Sequence, residues 1–162
     1  MKRLGLLLAI LCMFGVVANA QQDFQKGNCI LNAGIGVGYG MPVSVSAEWP
    51  VATNMIKGRN GAIGIGPYIG FNLPCIDRNT GFDLGFRGAF HYQWPEKLDT
   101  YAGLNLSFHG YNDKDVDEFK SGMACSLFVG ARYYFWNNIG LFAEVGGGFN
   151  FGALSVGACF KL

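Results

Sequence analysis

The sequence predicts an all-β protein: an eight-stranded antiparallel transmembrane β-barrel whose strands follow one another in an up-and-down meander. Three observations predict this fold. Apolar residues alternate with small or polar ones through most of the chain after residue 20, which is the period of a strand with two different faces. The second face carries few charges. An export segment precedes the first strand.

The first twenty residues predict a secretory signal peptide. Lys2 and Arg3 form a basic start, an apolar stretch runs from Leu4 to Val17, and Ala18-Asn19-Ala20 is a cleavage site of the small-x-small type. The apolar stretch is shorter than the ~20 residues that a spanning helix needs. We therefore expect a signal peptide over residues 1–20 and a barrel domain over residues 21–162.

Eight segments show the alternation in turn. The apolar face of successive strands takes alternate residues from Leu31 to Tyr39, Val43 to Trp49, Ile63 to Phe71, Phe82 to Tyr92, Ala102 to Phe108, Met123 to Phe135, Ile139 to Phe149 and Leu154 to Leu162. The opposite face carries mainly Gly, Ser and Asn, with one or two charges in a strand. A soluble barrel would show this second face to water and would carry frequent Lys and Glu there. Small residues suit a narrow lumen, so we expect the apolar face to contact lipid.

The three tryptophans predict an orientation. Trp49, Trp94 and Trp136 each fall at the end of an even-numbered strand. If the N-terminus lies in the periplasm, even strands end at the periplasmic boundary, and the three residues predict an aromatic girdle there.

The connections are expected to differ modestly in length between the two sides of the barrel. On the periplasmic side we expect turns at Pro95 to Asp99 and Asn137-Asn138 and a longer connection at Ala52 to Gly61. On the outer side we expect tight turns at Gly40-Met41-Pro42 and Asn150 to Ala153, and polar loops at Leu73 to Thr80 and Tyr111 to Ser121.

The signal peptide, the alternating strands and the segment VGARYYFWNNIGLFAEVGGG at residues 129–148 resemble the small outer-membrane β-barrels of the OmpA/OmpX type, particularly the variants common in Bacteroidota. This resemblance implies a free-standing monomer in the cell outer membrane, in contact with its lipid and lipopolysaccharide. Gly157, Phe160 and Leu162 are similar to the C-terminal signal that the barrel assembly machinery reads, although Leu162 stands where an aromatic residue is usual.

Six charged residues have the parity of the lumen: Glu48, Asp83, Arg87, Arg132, Glu144 and Lys161. Unpaired charges in a narrow, poorly hydrated interior are costly, so we expect these residues to pair. Arg132 and Glu144 lie on adjacent strands. The pattern favours a structural plug, with a gate or a narrow ion path as the alternative.

Some small barrels modify lipid A, so a Ser/His pair with a carboxylate is a further hypothesis for the lumen. Ser107 and His109 share a face, His91 lies on the neighbouring strand, and Asp83 is a candidate carboxylate. These side chains point to the lumen rather than to lipid, and no deacylase or palmitoyl-transfer motif is present. We expect no enzyme.

Four cysteines remain after cleavage, Cys29, Cys75, Cys125 and Cys159, and their spacing matches no metal site. Cys75 and Cys125 both fall toward the outer end of the barrel, and a disulfide between them is an alternative to free thiols. The acidic stretch YNDKDVDEFKSG predicts a solvated loop, with a ligand contact as the alternative. A net charge of +1 argues against a nucleic-acid partner, and no residue pattern indicates a cofactor.

The sequence thus predicts a non-catalytic barrel with a closed polar lumen, acting in envelope structure or in surface interaction and adhesion. A lipid A-modifying enzyme, a narrow pore and a soluble lipocalin-like binding barrel are the alternatives.

Overall fold

The described residues of the computed structural model are 27–38, 41–56, 61–73, 80–94, 97–113, 118–148 and 153–162. Within them the chain forms eight strands: β1 Ile30–Val37, β2 Met41–Thr53, β3 Gly61–Leu73, β4 Gly81–Gln93, β5 Leu98–Asp113, β6 Glu118–Tyr134, β7 Ile139–Gly148 and β8 Leu154–Lys161. Each strand pairs antiparallel with the next, and β1 pairs with β8 to close the barrel. The predicted fold class and meander order are therefore confirmed.

The strand register fixes the tilt of the barrel. Following register partners from Tyr134 around the ring leads through Gly140, Cys159, Asn32, Ser46, Tyr68, Gly85 and Ser107 to Ala124. The path returns to β6 ten residues from its start. A stagger of this size on eight strands gives a tilt of roughly 40° and a backbone radius of about 8 Å, which leaves a lumen that side chains can fill.

The two faces separate as the alternation predicts. Side chains on the outer face are apolar and exposed, among them Met123 at 76%, Phe86 at 66% and Leu127 at 65%. Buried side chains on the inner face are largely polar or charged, and they include Asn32, Ser46, Glu48, Asp83, Arg87, His91, Asp99, Asn105, Arg132 and Glu144. The barrel therefore has a polar interior and an apolar exterior.

Glycine is required where strands come close together. A Cβ added to Gly66 in β3 would overlap the backbone carbonyl of Ala47 in β2. Backbone atoms cannot rotate out of the way as a side chain can, so only a residue without a side chain fits there. Gly148, at the end of β7, has a φ of 142°, which an L side chain rarely adopts.

Some boundaries differ from those the sequence predicts. Strand β5 already begins at Leu98, so the expected turn from Pro95 to Asp99 is too long and Asp99 belongs to the strand. Strands β5 and β6 continue through most of the expected loop from Tyr111 to Ser121, pairing as far as Asp113 and Glu118. Short-range alternation did not reveal these extensions because the residues there are polar.

Two other connections also shift. Strand β2 continues to Thr53 and begins at Met41, so Ala52 and the Met41-Pro42 pair lie in a strand rather than in connections. The signal peptide, Cys75, Phe149 and most of the expected Leu73 to Thr80 and Asn150 to Ala153 connections lie outside the described residues. No helix in the described part of the chain is long and apolar enough to cross a membrane.

Candidate functional site

The lumen holds a group of ionisable side chains that we call the lumenal charge cluster: Glu48, Arg87, His91, Asp99, Arg132 and Glu144. Five strands supply them, namely β2, β4, β5, β6 and β7. None of the six is more than 3% exposed. The cluster therefore lies inside the barrel and links strands on opposite sides of the ring.

Glu48 is the centre of the cluster. One carboxylate oxygen lies 2.6 Å from Nε of Arg87, and the other accepts a hydrogen bond of 2.6 Å from Nη2 of Arg132. The two guanidinium groups approach from different strands, β4 and β6. Glu48 therefore ties three strands together through one side chain.

Glu144 anchors the other end of Arg87. Nη2 of Arg87 donates to Oε1 of Glu144 at 2.7 Å, and the hydroxyl of Tyr101 donates to the same oxygen at 2.8 Å. Nη1 of Arg87 donates to the Ser46 hydroxyl at 3.3 Å. The guanidinium carbon also lies 4.2 Å from the centre of the Phe128 ring, within the range of a cation–π contact.

Arg132 repeats the arrangement toward the end of the barrel where Cys29 exchanges backbone hydrogen bonds with Leu162. Its Nη1 donates to Oδ2 of Asp99 at 3.2 Å, and its guanidinium carbon lies 4.2 Å from the centre of the Tyr101 ring. Each arginine thus has two carboxylate partners and one aromatic face. Buried charges are tolerated when they are paired and hydrogen-bonded in this way.

Four of the predicted residues, Glu48, Arg87, Arg132 and Glu144, form ion pairs within the cluster, with different partners from those that adjacency suggested. Arg132 and Glu144 lie on neighbouring strands, yet Arg132 pairs with Glu48 and Asp99, while Glu144 pairs with Arg87. Gly130, not Arg132, is opposite Glu144 in the register. Neighbouring strands do not place two side chains at the same height when the register is staggered.

The other two predicted residues lie outside the cluster. Asp83 is buried elsewhere in the lumen and accepts a bond of 3.5 Å from the Ser107 hydroxyl. Lys161 is half-buried at the last position of β8. Both have the inward parity that the sequence predicts, and they stand at other heights of the barrel.

Two members of the cluster were not predicted as part of it. The sequence predicts a turn at Asp99, and it predicts His91 as a satisfied lumenal histidine without assigning it to the charge network. Asp99 has the same parity as Tyr101, so extending the β5 alternation backward by two residues would have placed it in the lumen. The sequence alternation already predicts that His91 points into the lumen, but the residues that it contacts there depend on closure of the barrel.

Of the hypothetical catalytic residues, Asp83 lies opposite His109 in the β4–β5 register, whereas His91 lies at another level of the lumen. The Ser107 hydroxyl bonds to Asp83 rather than to a histidine, and His109 stacks on Tyr111 with ring centres 6.0 Å apart. His91 is opposite Tyr101, six residues from Ser107 along β5, which is roughly 20 Å. No group of three or more His, Cys, Asp or Glu side chains able to hold a metal ion occurs among the described residues.

The tryptophans divide into two levels. Trp94 and Trp136 lie just beyond the ends of β4 and β6 and are mostly exposed, at 60% and 67%. Trp49 lies four residues before the end of β2, about 13 Å back along the strand. Its placement at a strand end was wrong because β2 is longer than the alternation indicated. A periplasmic girdle of all three residues stays a prediction.

The C-terminal strand and the cysteines complete the predicted sites. Gly157 pairs with Gly34 across the β1–β8 closure, Phe160 is half-buried and Leu162 is exposed, and their role as an assembly signal stays a prediction. Cys125 is exposed on the outer face, Cys159 is buried, and both are free thiols, as is Cys29. The proposed partner of Cys125, Cys75, lies outside the described residues.

An apolar exterior, a polar lumen and a ten-residue stagger on eight antiparallel strands define a transmembrane β-barrel fold of the OmpA type. The chain is similar to the N-terminal β-barrel domain of Pseudomonas aeruginosa OprF, with a TM-score of 0.65 and 13% identity over 85% of this chain and 98% of that one. It is also similar to a de novo designed transmembrane β-barrel, with a TM-score of 0.51 and 16% identity over the same shares. No family profile and no curated protein matches the sequence. At these identities the likeness shows the fold alone.

Proposed function

We propose that this protein is an integral barrel of the cell outer membrane whose lumen is closed and which acts without catalysis, in envelope structure or in surface contact. The signal peptide is cleaved after residue 20, the barrel assembly machinery inserts the chain, and the protein remains a monomer among outer-membrane lipid and lipopolysaccharide. The observation that carries the proposal is the lumenal charge cluster inside an apolar-faced barrel.

The outer face supports the lipid contact. Exposed large apolar side chains follow every strand from β1 to β8. A soluble monomer rarely exposes continuous apolar surface beyond a few hundred Å². Exposed apolar side chains are stable in contact with hydrocarbon. Closure of the ring provides interstrand hydrogen bonds for the backbone polar groups, which lipid cannot provide.

The cluster supports the closed lumen. Glu48 and Arg132 come from β2 and β6, which lie on opposite sides of the ring, and their side chains meet at 2.6 Å. Eight-stranded barrels have room for packed side chains, whereas aqueous channels occur at higher strand numbers. We therefore expect no steady conductance from the purified protein in planar bilayers, and a stable open channel would contradict the closed lumen.

The decisive experiment for the membrane assignment combines cell fractionation with an unboiled-versus-boiled detergent gel. We expect the protein in the outer-membrane fraction, with a faster-migrating unboiled band that shifts on heating. Recovery in the soluble periplasmic fraction without a heat-dependent shift would refute lipid contact and would make the apolar face the interior of a soluble barrel.

Surface contact is supported by the β5–β6 hairpin. Strand β6 begins at Glu118, whereas its described pairing with β7 begins only at Ser126. The first eight residues of β6 thus pair with β5 alone within the described part of the chain. Such an edge offers backbone hydrogen-bonding groups to another molecule.

Labelling with a membrane-impermeant amine reagent on intact cells tests which end faces outward. Lys120 lies in the β5–β6 hairpin and Lys97 lies in the turn at the opposite end, and both side chains are exposed. We expect labelling at Lys120 and protection at Lys97, with both labelled after cell lysis. The reverse pattern would invert the proposed orientation.

A separate experiment tests the proposal that the protein acts without catalysis. Lipid A mass spectra from cells with and without the protein should be identical, and so should spectra from cells carrying Ser107→Ala. A mass change that depends on Ser107 would establish an enzyme instead.

A further inference from the structure

His91 lies between two carboxylates in the lumenal charge cluster. Its Nδ1 is 2.9 Å from Oδ2 of Asp99, and its Nε2 is 3.4 Å from Oε2 of Glu48. The side chain has no measurable exposure, and both carboxylates are at least 99% buried. Both ring nitrogens therefore face an anionic oxygen in a region that water does not reach from the bulk.

This geometry constrains the proton count of the ring. An ionised carboxylate only accepts hydrogen bonds, while a neutral imidazole carries one N–H donor and one lone pair. Either neutral tautomer would set its lone pair against a buried carboxylate oxygen. Only the imidazolium form supplies an N–H on both sides.

The charge balance of the cluster leads to the same conclusion independently. Among the described residues it contains three carboxylates, Glu48, Asp99 and Glu144, and two arginines, Arg87 and Arg132. These five leave one negative charge uncompensated. An imidazolium at His91 makes three cations against three anions, which avoids an excess charge in a low-dielectric interior.

The groups that face the ring come from every strand around it. They are Glu48 on β2, Asp99 and Tyr101 on β5, Arg132 on β6 and, on β4 itself, Arg87, while the register neighbour on β3 is Ala62. The Tyr101 ring centre lies 5.3 Å from that of His91. The carboxylates approach the nitrogens directly, whereas Arg132 approaches through its bond to Asp99.

We propose that His91 is the third cation of the lumenal charge cluster and that the folded barrel keeps its proton at neutral and mildly alkaline pH. The proton makes the lumenal charge cluster responsive to pH. The contribution of His91 to stability is complete while the imidazolium persists, and it is lost as rising pH removes the proton. This inference rests on the geometry of the cluster and not on the cellular role proposed above, so either can fail without the other.

The first test reads the protonation state directly. The chain has two histidines, so His109→Asn leaves His91 as the single reporter. In that variant, labelled with ¹⁵N-histidine and folded in detergent micelles at pH 8, we expect both ring nitrogens of His91 to show imidazolium shifts. An ordinary histidine, with a pKa of about 6.5, is neutral at that pH. Shifts of a neutral tautomer would overturn the proposal.

The second test reads the linked stability. Unfolding rates in denaturant are measured between pH 6 and 9.5 for the wild type, His91→Gln and the matched variant His109→Gln. We expect the rate to rise about tenfold across the range for the wild type and for His109→Gln, in line with loss of one charge-assisted hydrogen bond. For His91→Gln the rate should be high and flat. A pH dependence that survives in His91→Gln, or one that disappears in His109→Gln, would refute the assignment.

Discussion

Replacing Arg132 by methionine should be among the most destabilising single changes in this protein. Methionine preserves much of the side-chain length and removes the charge, which leaves Glu48 and Asp99 without a guanidinium that both contact at 3.2 Å or less. Two charge-assisted hydrogen bonds are worth about 1.5–3 kcal/mol each, and removing one partner of a buried ion pair costs about 3–5 kcal/mol. We expect a loss of about 3–5 kcal/mol in the free energy of unfolding.

Urea unfolding in lipid vesicles, followed by tryptophan fluorescence and by the heat-dependent gel shift, measures this loss. The matched control is Lys97→Met, which removes the same charge from an exposed turn residue at the same end of the barrel. It should change stability by no more than about 0.5 kcal/mol.

A second substitution tests the cause. Adding Glu48→Gln to Arg132→Met removes one of the two carboxylates that lose the guanidinium and leaves Arg87 with Glu144 and His91 with Asp99. We expect the double variant to be more stable than Arg132→Met alone. If Arg132→Met costs no more than Lys97→Met, or if Glu48→Gln deepens the loss, then the cluster does not stabilise the barrel through charge pairing.

Three further predictions test the outer face, the strand packing and the position of a thiol. Val129→Arg places a charge on the exposed face of β6 and should lower the free energy of unfolding in vesicles by about 2–4 kcal/mol. Met55→Arg, beyond the end of β2, should lower it by about 1 kcal/mol or less. Equal losses for the two variants would contradict contact between the outer face and lipid. Gly66→Ala should sharply reduce the heat-modifiable fraction of the protein, because the added Cβ would overlap the Ala47 carbonyl. The control Gly88→Ala meets only ordinary contacts at 3.9 Å and should fold normally. Normal folding of Gly66→Ala would show that β2 and β3 can separate there. A fluorophore on Cys125, in a variant whose other cysteines are serine, should be quenched by brominated lipid chains, since this side chain is exposed on the outer face; quenching by aqueous iodide alone would place that face in water.

The alternation of the sequence was sufficient for the fold class, the strand order and the face on which each side chain lies. Parity depends only on the two-residue period of a strand, so a short stretch such as Asp83 to Arg87 reveals it without knowledge of the partner strands. For the same reason, the inward direction of Glu48, Arg132 and Glu144 was predictable. The ends of the strands were less predictable, because Asp99 and the polar residues between Tyr111 and Ser121 show no apolar alternation.

Only the tertiary structure decided which lumenal charges meet. Parity places a side chain inside the barrel but does not give its height, and height depends on the ten-residue stagger that arises when β1 pairs with β8. That stagger brings Glu48 to Arg132, 84 residues away on the opposite wall, whereas the β6–β7 register sets Arg132 two positions from Glu144 on the adjacent strand. It also places His91 between Glu48 and Asp99, because closure of the ring determines which side chains share one level of the lumen.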